Sequence, residues 1–314
     1  MNIVFMGTPE FSIPTLTKLY RSHHNVQLVV TQPDRPKGRG RESTPSPVKQ
    51  FALENNIPIL QPKKCTDLEV VKTLGMLNAD FFIVVAFGQI LDKALLALPL
   101  HFCINLHSSL LPKYRGAAPI NWSIINGETE AGITTMKMDV GLDTGDILLA
   151  HKVPINDDDD AQSLHDTLAQ KGSDLVLETL NQFDFGSLEG TSQNIELASY
   201  APKLKKEDGL IQWDQPAVKI HNLVRGLAPW PGAFSFLESK RFKICKTEIK
   251  SCDSSNQPGV ILRISGYGIE VGTQSKKIII TELQPEGKKR MDVKSFLAGH
   301  KLSIGSKFEK QSSL

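Results

Sequence analysis

The feature that most constrains this chain is the alternation, through its first half, of short apolar runs with segments of helical period. "NIVFMG" (Asn2–Gly7), "VQLVVT" (Val26–Thr31), "FFIVVAF" (Phe81–Phe87) and "FCINL" (Phe102–Leu106) read as buried strands. Between them, "SIPTLTKLYRS" (Ser12–Ser22), "SPVKQFALENN" (Ser46–Asn56) and "LEVVKTLGML" (Leu68–Leu77) place apolar residues at helical spacing. "INWSIING" (Ile120–Gly127) continues as a helix, and "GITTMKMD" (Gly132–Asp139) and "DILLAHKVPI" (Asp146–Ile155) as later strands. Strands that are apolar throughout are covered on both faces. The pattern therefore predicts an α/β fold with a doubly wound, mostly parallel, Rossmann-like sheet. After Val153 a run of four aspartates leads into "AQSLHDTLAQKGSDLVLETL". Acids there suit the positive end of a helix dipole and need no metal to explain them.

From "YAPKLKKEDGLIQW" onward the texture changes. One helix, "AVKIHNLVRGL" (Ala217–Leu227), precedes "AFSFLE", "KRFKICKTEI", "GVILRI", "GIEVGT" and "KKIIITEL", punctuated by Gly and Pro. Closely spaced short strands predict a small β-barrel, compatible with an oligonucleotide-binding (OB-like) type. The expected domains are residues 1–200 and 201–314. Charge divides the same way. Residues 1–200 carry 16 Lys+Arg against 23 Asp+Glu, a balance of −7, and residues 201–314 carry 20 against 11, or +9. A basic second half suggests a polyanionic partner; a solvated basic surface with no partner explains it equally simply.

Cys65, Cys103, Cys245 and Cys252 show no metal-ligand spacing and read as reduced thiols. The opening "MNIVFMGTPEF" has no basic n-region, and the longest apolar run, Phe81–Phe87, is far too short to span a bilayer. A cytoplasmic protein without a metal is expected.

The chemistry is concentrated in "CINLHSSLLPKYRGAAPINW" (Cys103–Trp122). Asn105 and His107 fall where a strand ends, and residues two apart on extended backbone point the same way. Ligands of open parallel sheets bind beyond those carboxyl ends. An amide donor and an imidazole suit a carbonyl oxygen that gains negative charge under nucleophilic attack. A packed polar pair closing the strand is the plain alternative. In "MDVGLDTGDIL" (Met138–Leu148), Gly141 and Gly145 bracket Asp143, which is able to return to the same edge, with Asp139 and Asp146 competing for the role. Ser108 and Ser109 lack the tight G-x-S-x-G turn of a serine nucleophile. The "QPDRPKGRGRES" stretch spaces Arg35, Lys37, Arg39 and Arg41 with Pro and Gly, a loop suited to a phosphate backbone. Neither a G-x-x-x-x-G-K-[ST] loop nor a G-x-G-x-x-G turn is present, which argues against nucleotide sites.

"NLHSSLLPKYRGAAPINWSIINGETEAGITTMKMDVGLDTGDIL" resembles the signature region of the folate-dependent formyltransferases. With "MNIVFMGTPEFSIPTL", "TQPDRPKGRGRESTPSPVKQFA", "VVAFGQIL" and "LAPWPGAF", the resemblance spans nearly the whole chain. The basic loop and second domain are similar to the branch of that family whose acceptor is methionyl initiator tRNA. The resemblance implies a catalytic trio of Asn105, His107 and Asp143, with formyl transfer from 10-formyltetrahydrofolate directly to an amine. It implies folate contacts at Ser109, Leu110, Leu111 and Pro112, and at Phe87, Gly88, Gln89, Ile90 and Leu91. Phe87 stands where relatives often have Tyr, and Asp92 where they often have Pro. It further implies tRNA contacts at Arg35, Lys37, Arg39 and Arg41, with Lys203, Lys205 and Lys206 in "KLKKEDG" tracking the same backbone. No heptad pattern calls for assembly, so a monomer is expected. Two other readings stand beside this one: a formyl transferase or hydrolase with a small-molecule substrate, and a non-catalytic RNA-binding protein.

Overall fold

The computed structural model describes residues 1–37, 42–250 and 257–310. Arg39 and Arg41 of the basic loop lie outside the described residues, as does Cys252. The chain divides into two compact units, the first comprising Met1–Pro119, Glu130–Pro154 and His165–Ala201.

The first unit is built on a seven-stranded sheet. Its strands are β1 (Asn2–Gly7), β2 (Asn25–Val30), β3 (Ile59–Leu60), β4 (Phe81–Val85), β5 (Phe102–His107), β6 (Glu130–Lys137) and β7 (Ile147–Pro154). They lie in the order β7-β6-β5-β4-β1-β2-β3. The five strands from β5 to β3 run parallel, whereas β6 and β7 are antiparallel additions at one edge. Each residue of β4, "FFIVV", is buried, because helices cover both faces of the sheet's centre.

Val4, Met6, Val30, Phe82, Val84 and Cys103 form the core of one face. On the other, Phe81, Phe102 and Phe183 meet edge to face. Phe183 belongs to the long helix Ala161–Asp184, which approaches β5 closely at Gly172. A methyl group there would come within 2.6 Å of Leu106 Cδ2. Asp160 begins that helix, its carboxylate accepting from the N–H groups of Gln162 and Ser163, both at 2.9 Å. The last acid of the run is thus the helix's cap. No described helix is long and apolar enough to cross a membrane.

The second unit takes the residues from Pro202 onward together with Ile120–Thr129 and Ile155–Leu164, two segments whose sequence position lies inside the expected first domain. Its strands are β8 (Ala233–Leu237), β9 (Lys240–Lys250), β10 (Ile261–Ile264), β11 (Ile269–Gly272), β12 (Lys277–Pro285) and β13 (Met291–Asp292). The antiparallel order is β8-β9-β12-β11-β10, with β13 added to β12. The segment around Lys307 closes the barrel. Phe236 of β8 exchanges both backbone hydrogen bonds with Glu309, at 3.1 and 2.7 Å. On the opposite edge Ile261 N donates to Ser306 O at 2.8 Å, and Phe308 N to Gly259 O at 2.8 Å. Inside lie Trp213, Ile244, Ile261, Val271, Ile278, Ile280, Phe296 and Phe308.

Two elements differ from the sequence reading. The basic stretch is not simply a loop: Arg35–Lys37 pairs antiparallel with Glu42–Thr44. Its base is fixed by Asp34, whose carboxylate takes hydrogen bonds from Lys49 Nζ at 2.6 Å and Gln61 Nε2 at 2.7 Å. Those bonds, Lys49 first, hold Asp34 below the usual carboxylate range. A further helix, Val293–Gly299, starts on Asp292, whose Oδ1 accepts from Ser295 N at 2.7 Å.

Candidate active site

Asn105 and His107 occupy the last turn of the pleat in β5, beside Met136 and Thr134 of β6. Alternation sets both on the face carrying Cys103, beyond which the β4 and β5 carboxyl ends open. Burial pushes the Cys103 thiol up to about 12, so it stays protonated and is no nucleophile.

His107 is 6% exposed and its ring is locked. Nε2 lies 2.9 Å from the carbonyl oxygen of Tyr114. A carbonyl only accepts, so Nε2 carries the proton in the neutral ring. Nδ1 then holds the lone pair, and it lies 3.7 Å from Asp143 Oδ2. Two acceptors at that separation suit a shared donor that carries two hydrogens, such as water or an amine.

Asp143 reaches this position because its loop turns back on β6. A methyl group on Gly145 would overlap the carbonyl oxygen of Lys137, so only glycine permits the return. Asp143 itself sits at φ +54°, a left-handed conformation that Asp tolerates better than most residues. Its Oδ2 accepts from Gly116 N at 2.8 Å. The competing acids are committed elsewhere. Asp139 Oδ1 accepts from Gly141 N at 3.0 Å and Thr144 Oγ1 at 2.7 Å. Asp146 Oδ1 accepts from Ser192 Oγ at 2.9 Å. Of the three acids, Asp143 is the one beside His107.

The remaining sequence candidates separate into fold-bearing and available groups. Ser109 is buried and donates its hydroxyl to Lys113 O at 2.6 Å, while Leu111 packs inward and Leu110 and Pro112 are half-buried. Phe87 and Leu91 belong to the core. The Gln89 amide is used on both sides, accepting from Cys65 N at 2.8 Å and donating to Pro62 O at 3.0 Å. That leaves at the rim the exposed Gly88, whose carbonyl accepts from Gln32 Nε2 at 2.9 Å, and the 85%-exposed Ile90 side chain. A cleft of about 540 Å³ lies at the carboxyl ends of β1, β2 and β4, walled by Thr8, Gln32, Arg35, Pro36, Pro45 and Phe87. Sequence reading named Arg35, Phe87 and Gly88 but not the hollow they help to line. Its signal was the density of proline in "GTPEF", "QPDRP" and "TPSP", which stiffens walls around a hollow.

Arg35 is exposed, with Nη2 2.7 Å from Gln32 Oε1. Lys37 lies in the hairpin, and Arg39 and Arg41 fall outside the described residues. Lys203, Lys205 and Lys206 are exposed around the buried Leu204. No cluster of three or more His, Cys, Asp or Glu gathers at metal-holding distance among the described residues.

The chain matches two family models: formyl transferase over residues 1–180 and formyl transferase, C-terminal domain, over residues 203–301. It is 53% identical over 305 residues to the methionyl-tRNA formyltransferase of Citrifermentans bemidjiense, covering 97% of this chain and 95% of the relative. It is 52% identical over 307 residues to that of Geobacter sulfurreducens, covering 98% and 96%. Among solved structures, the sugar 3N-formyl transferase WlaRD superposes with a TM-score of 0.68 at 21% identity, covering 92% of this chain and 99% of that one. That last likeness is one of fold.

Proposed function

This chain belongs to the formyl transferase family, and from that premise we propose that the β5 rim is where it formylates the amino group of methionine carried on initiator tRNA. The chain is an enzyme of protein synthesis, and its activity is methionyl-tRNA formylation, as in relatives that match half its residues over nearly its full length. Its formyl donor is 10-formyltetrahydrofolate, which supplies a formyl group bonded to nitrogen and open to direct attack by an amine.

The observation that carries the site assignment is the juxtaposition of His107 Nδ1 with Asp143 Oδ2 at 3.7 Å. The amine that attacks must shed a proton, and these two acceptors face one spot from which to take it. Once Nδ1 has accepted the proton, the imidazolium is flanked by the carboxylate and becomes a donor. From there it returns the proton to the leaving nitrogen. Asn105 is the neutral donor at the same rim, aimed at oxygen where negative charge grows; one such donor is typically worth about 3–4 kcal/mol. In this reading His107 begins as an acceptor at Nδ1, because the Tyr114 carbonyl keeps the proton on Nε2. The rim offers an amide, an imidazole and a carboxylate but no activated hydroxyl or thiol, which suits direct transfer.

In this reading, Phe87, Gly88, Gln89, Ile90 and Leu91, with Ser109–Pro112, form the folate-holding edge. Gly88 and Ile90 contribute contacts and the others hold the walls. The paired strands Arg35–Lys37 and Glu42–Thr44 take the acceptor stem, and the neighbouring cleft receives the aminoacyl end. Lys203, Lys205 and Lys206 track the phosphates. The protein acts as a monomer in the cytoplasm, with the division near residue 200 separating catalytic from tRNA-holding domains.

The test is transfer of labelled formyl from the donor to charged initiator tRNA, elongator methionyl-tRNA and a nucleotide-linked amino sugar. Transfer to the initiator far exceeding the other two is expected. Preference for the amino sugar would sink the tRNA assignment.

A further inference from the structure

The Asp143 loop is held from behind by a part-buried polar chain that the reaction itself does not use. Three consecutive residues address the site. The Tyr114 carbonyl accepts from His107, and the Gly116 N–H donates to Asp143 Oδ2. Between them, the Arg115 side chain, 3% exposed, turns away toward Gln193. Arg115 Nη2 and Nε lie 2.7 and 3.1 Å from Gln193 Oε1. The Gln193 amide nitrogen then donates to the carbonyl oxygens of Asp143 at 2.9 Å and Gly145 at 2.7 Å.

The orientation of this amide is forced. Guanidinium has only donors and carbonyls have only acceptors, so oxygen faces Arg115 and nitrogen faces the loop. Gln193 is itself anchored, because the preceding Thr191 exchanges backbone hydrogen bonds with Ile147 at 2.9 and 2.8 Å. The Arg115 segment is anchored likewise, with Arg115 N donating to Ser199 O at 2.8 Å. Tyr114 and Asp143 both sit at positive φ, +60° and +54°. Such conformations persist only where surrounding contacts over-determine them.

We infer that Gln193, backed by Arg115, is a positioning residue for formyl transfer: it holds the Asp143 backbone so that the carboxylate stays against His107. This rests on the reading of Asp143 given above. It predicts an effect on turnover rather than on substrate capture, since Gln193 reaches the loop's carbonyls and not its outer surface.

The experiment is a double-mutant cycle of Gln193→Leu with Asp143→Asn, with turnover normalised to folded enzyme by donor-binding titration. Gln193→Glu serves as an isosteric second variant. It keeps an oxygen for Arg115 but presents only acceptors to the two carbonyls. Each Gln193 variant should lower kcat about 10- to 100-fold with both KM values within about threefold, an effect acting through Asp143. In the Asp143→Asn background, Gln193→Leu should cost less than about threefold more. Unchanged kcat in Gln193→Leu and Gln193→Glu overturns the inference, as do losses that simply multiply with that of Asp143→Asn. Near-wild-type turnover of Asp143→Asn alone overturns the underlying reading and this inference with it, an outcome visible in one corner of the same cycle.

Discussion

Asp143→Asn isolates one quantity, the charge beside His107. Asn tolerates the left-handed φ of +54° about as well as Asp does, so the backbone has no reason to move. Its carbonyl oxygen is still able to accept from Gly116 N. What disappears is the carboxylate facing Nδ1 at 3.7 Å, in a pair whose side chains are 7% and 16% exposed. At an effective dielectric of about 20, a unit charge pair at that separation interacts by about 4 kcal/mol. That interaction exists fully only once the imidazole is protonated, so it is lost from the reacting state and not from the resting enzyme. Each 1.36 kcal/mol is about tenfold in rate, so a loss of about 10²- to 10³-fold in kcat is expected, the amide dipole and water offsetting the remainder. The assay is single-turnover formylation of charged initiator tRNA at saturating donor. Thermal denaturation run in parallel should show a Tm within about 2 °C of the parent, as expected when no buried contact is removed. A kcat within threefold of the parent would refute the electrostatic argument.

Three further outcomes follow from other parts of the molecule. Gly145→Ala should destabilise by about 1–3 kcal/mol and abolish most turnover, because its methyl meets backbone, which cannot give way; a urea melt and the formylation assay read both. His24, buried and with Nε2 unpartnered, has its pKa lowered to about 4, chiefly by burial and then by His23. Stability is therefore complete above pH 6.5 and falls as the pH drops toward 4, by up to about 3 kcal/mol. His24→Leu should flatten that part of the urea-midpoint profile, and parallel profiles would disprove it. Arg41→Ala should raise the KM for tRNA and reduce the slope of log affinity against log salt by about 0.7–0.9, one phosphate contact; an identical slope would remove Arg41 from the interface.

The sheet was legible because its strands are uninterrupted apolar runs and its helices carry a clear period. Direction was not. β6 and β7 look like any other strands in "GITTMKMD" and "DILLAHKV", and nothing in an apolar run says whether its neighbour is parallel. The basic hairpin was hidden because "RPK" and "EST" offer no alternation to read. At the site, Asn105 and His107 were visible from their spacing at a strand end. Residue type and spacing alone could not choose among Asp139, Asp143 and Asp146, since each is a plausible turn acid; the family resemblance singled out Asp143. The choice is made by which carboxylates the loop uses internally, a property of three-dimensional closure. Gln193 and Arg115 were invisible for the same reason: 78 residues separate partners that share one hydrogen-bonded amide.

The barrel's last stitch has a consequence for synthesis. Both of its rims are sewn to the same few residues, 306–309. On the ribosome, then, the β8–β12 sheet must wait, unzipped along two seams, until those residues clear the exit tunnel. A bare strand edge pairs readily with whatever strand it meets. That interval is when a nascent copy of this protein is most exposed to sticking to its neighbours.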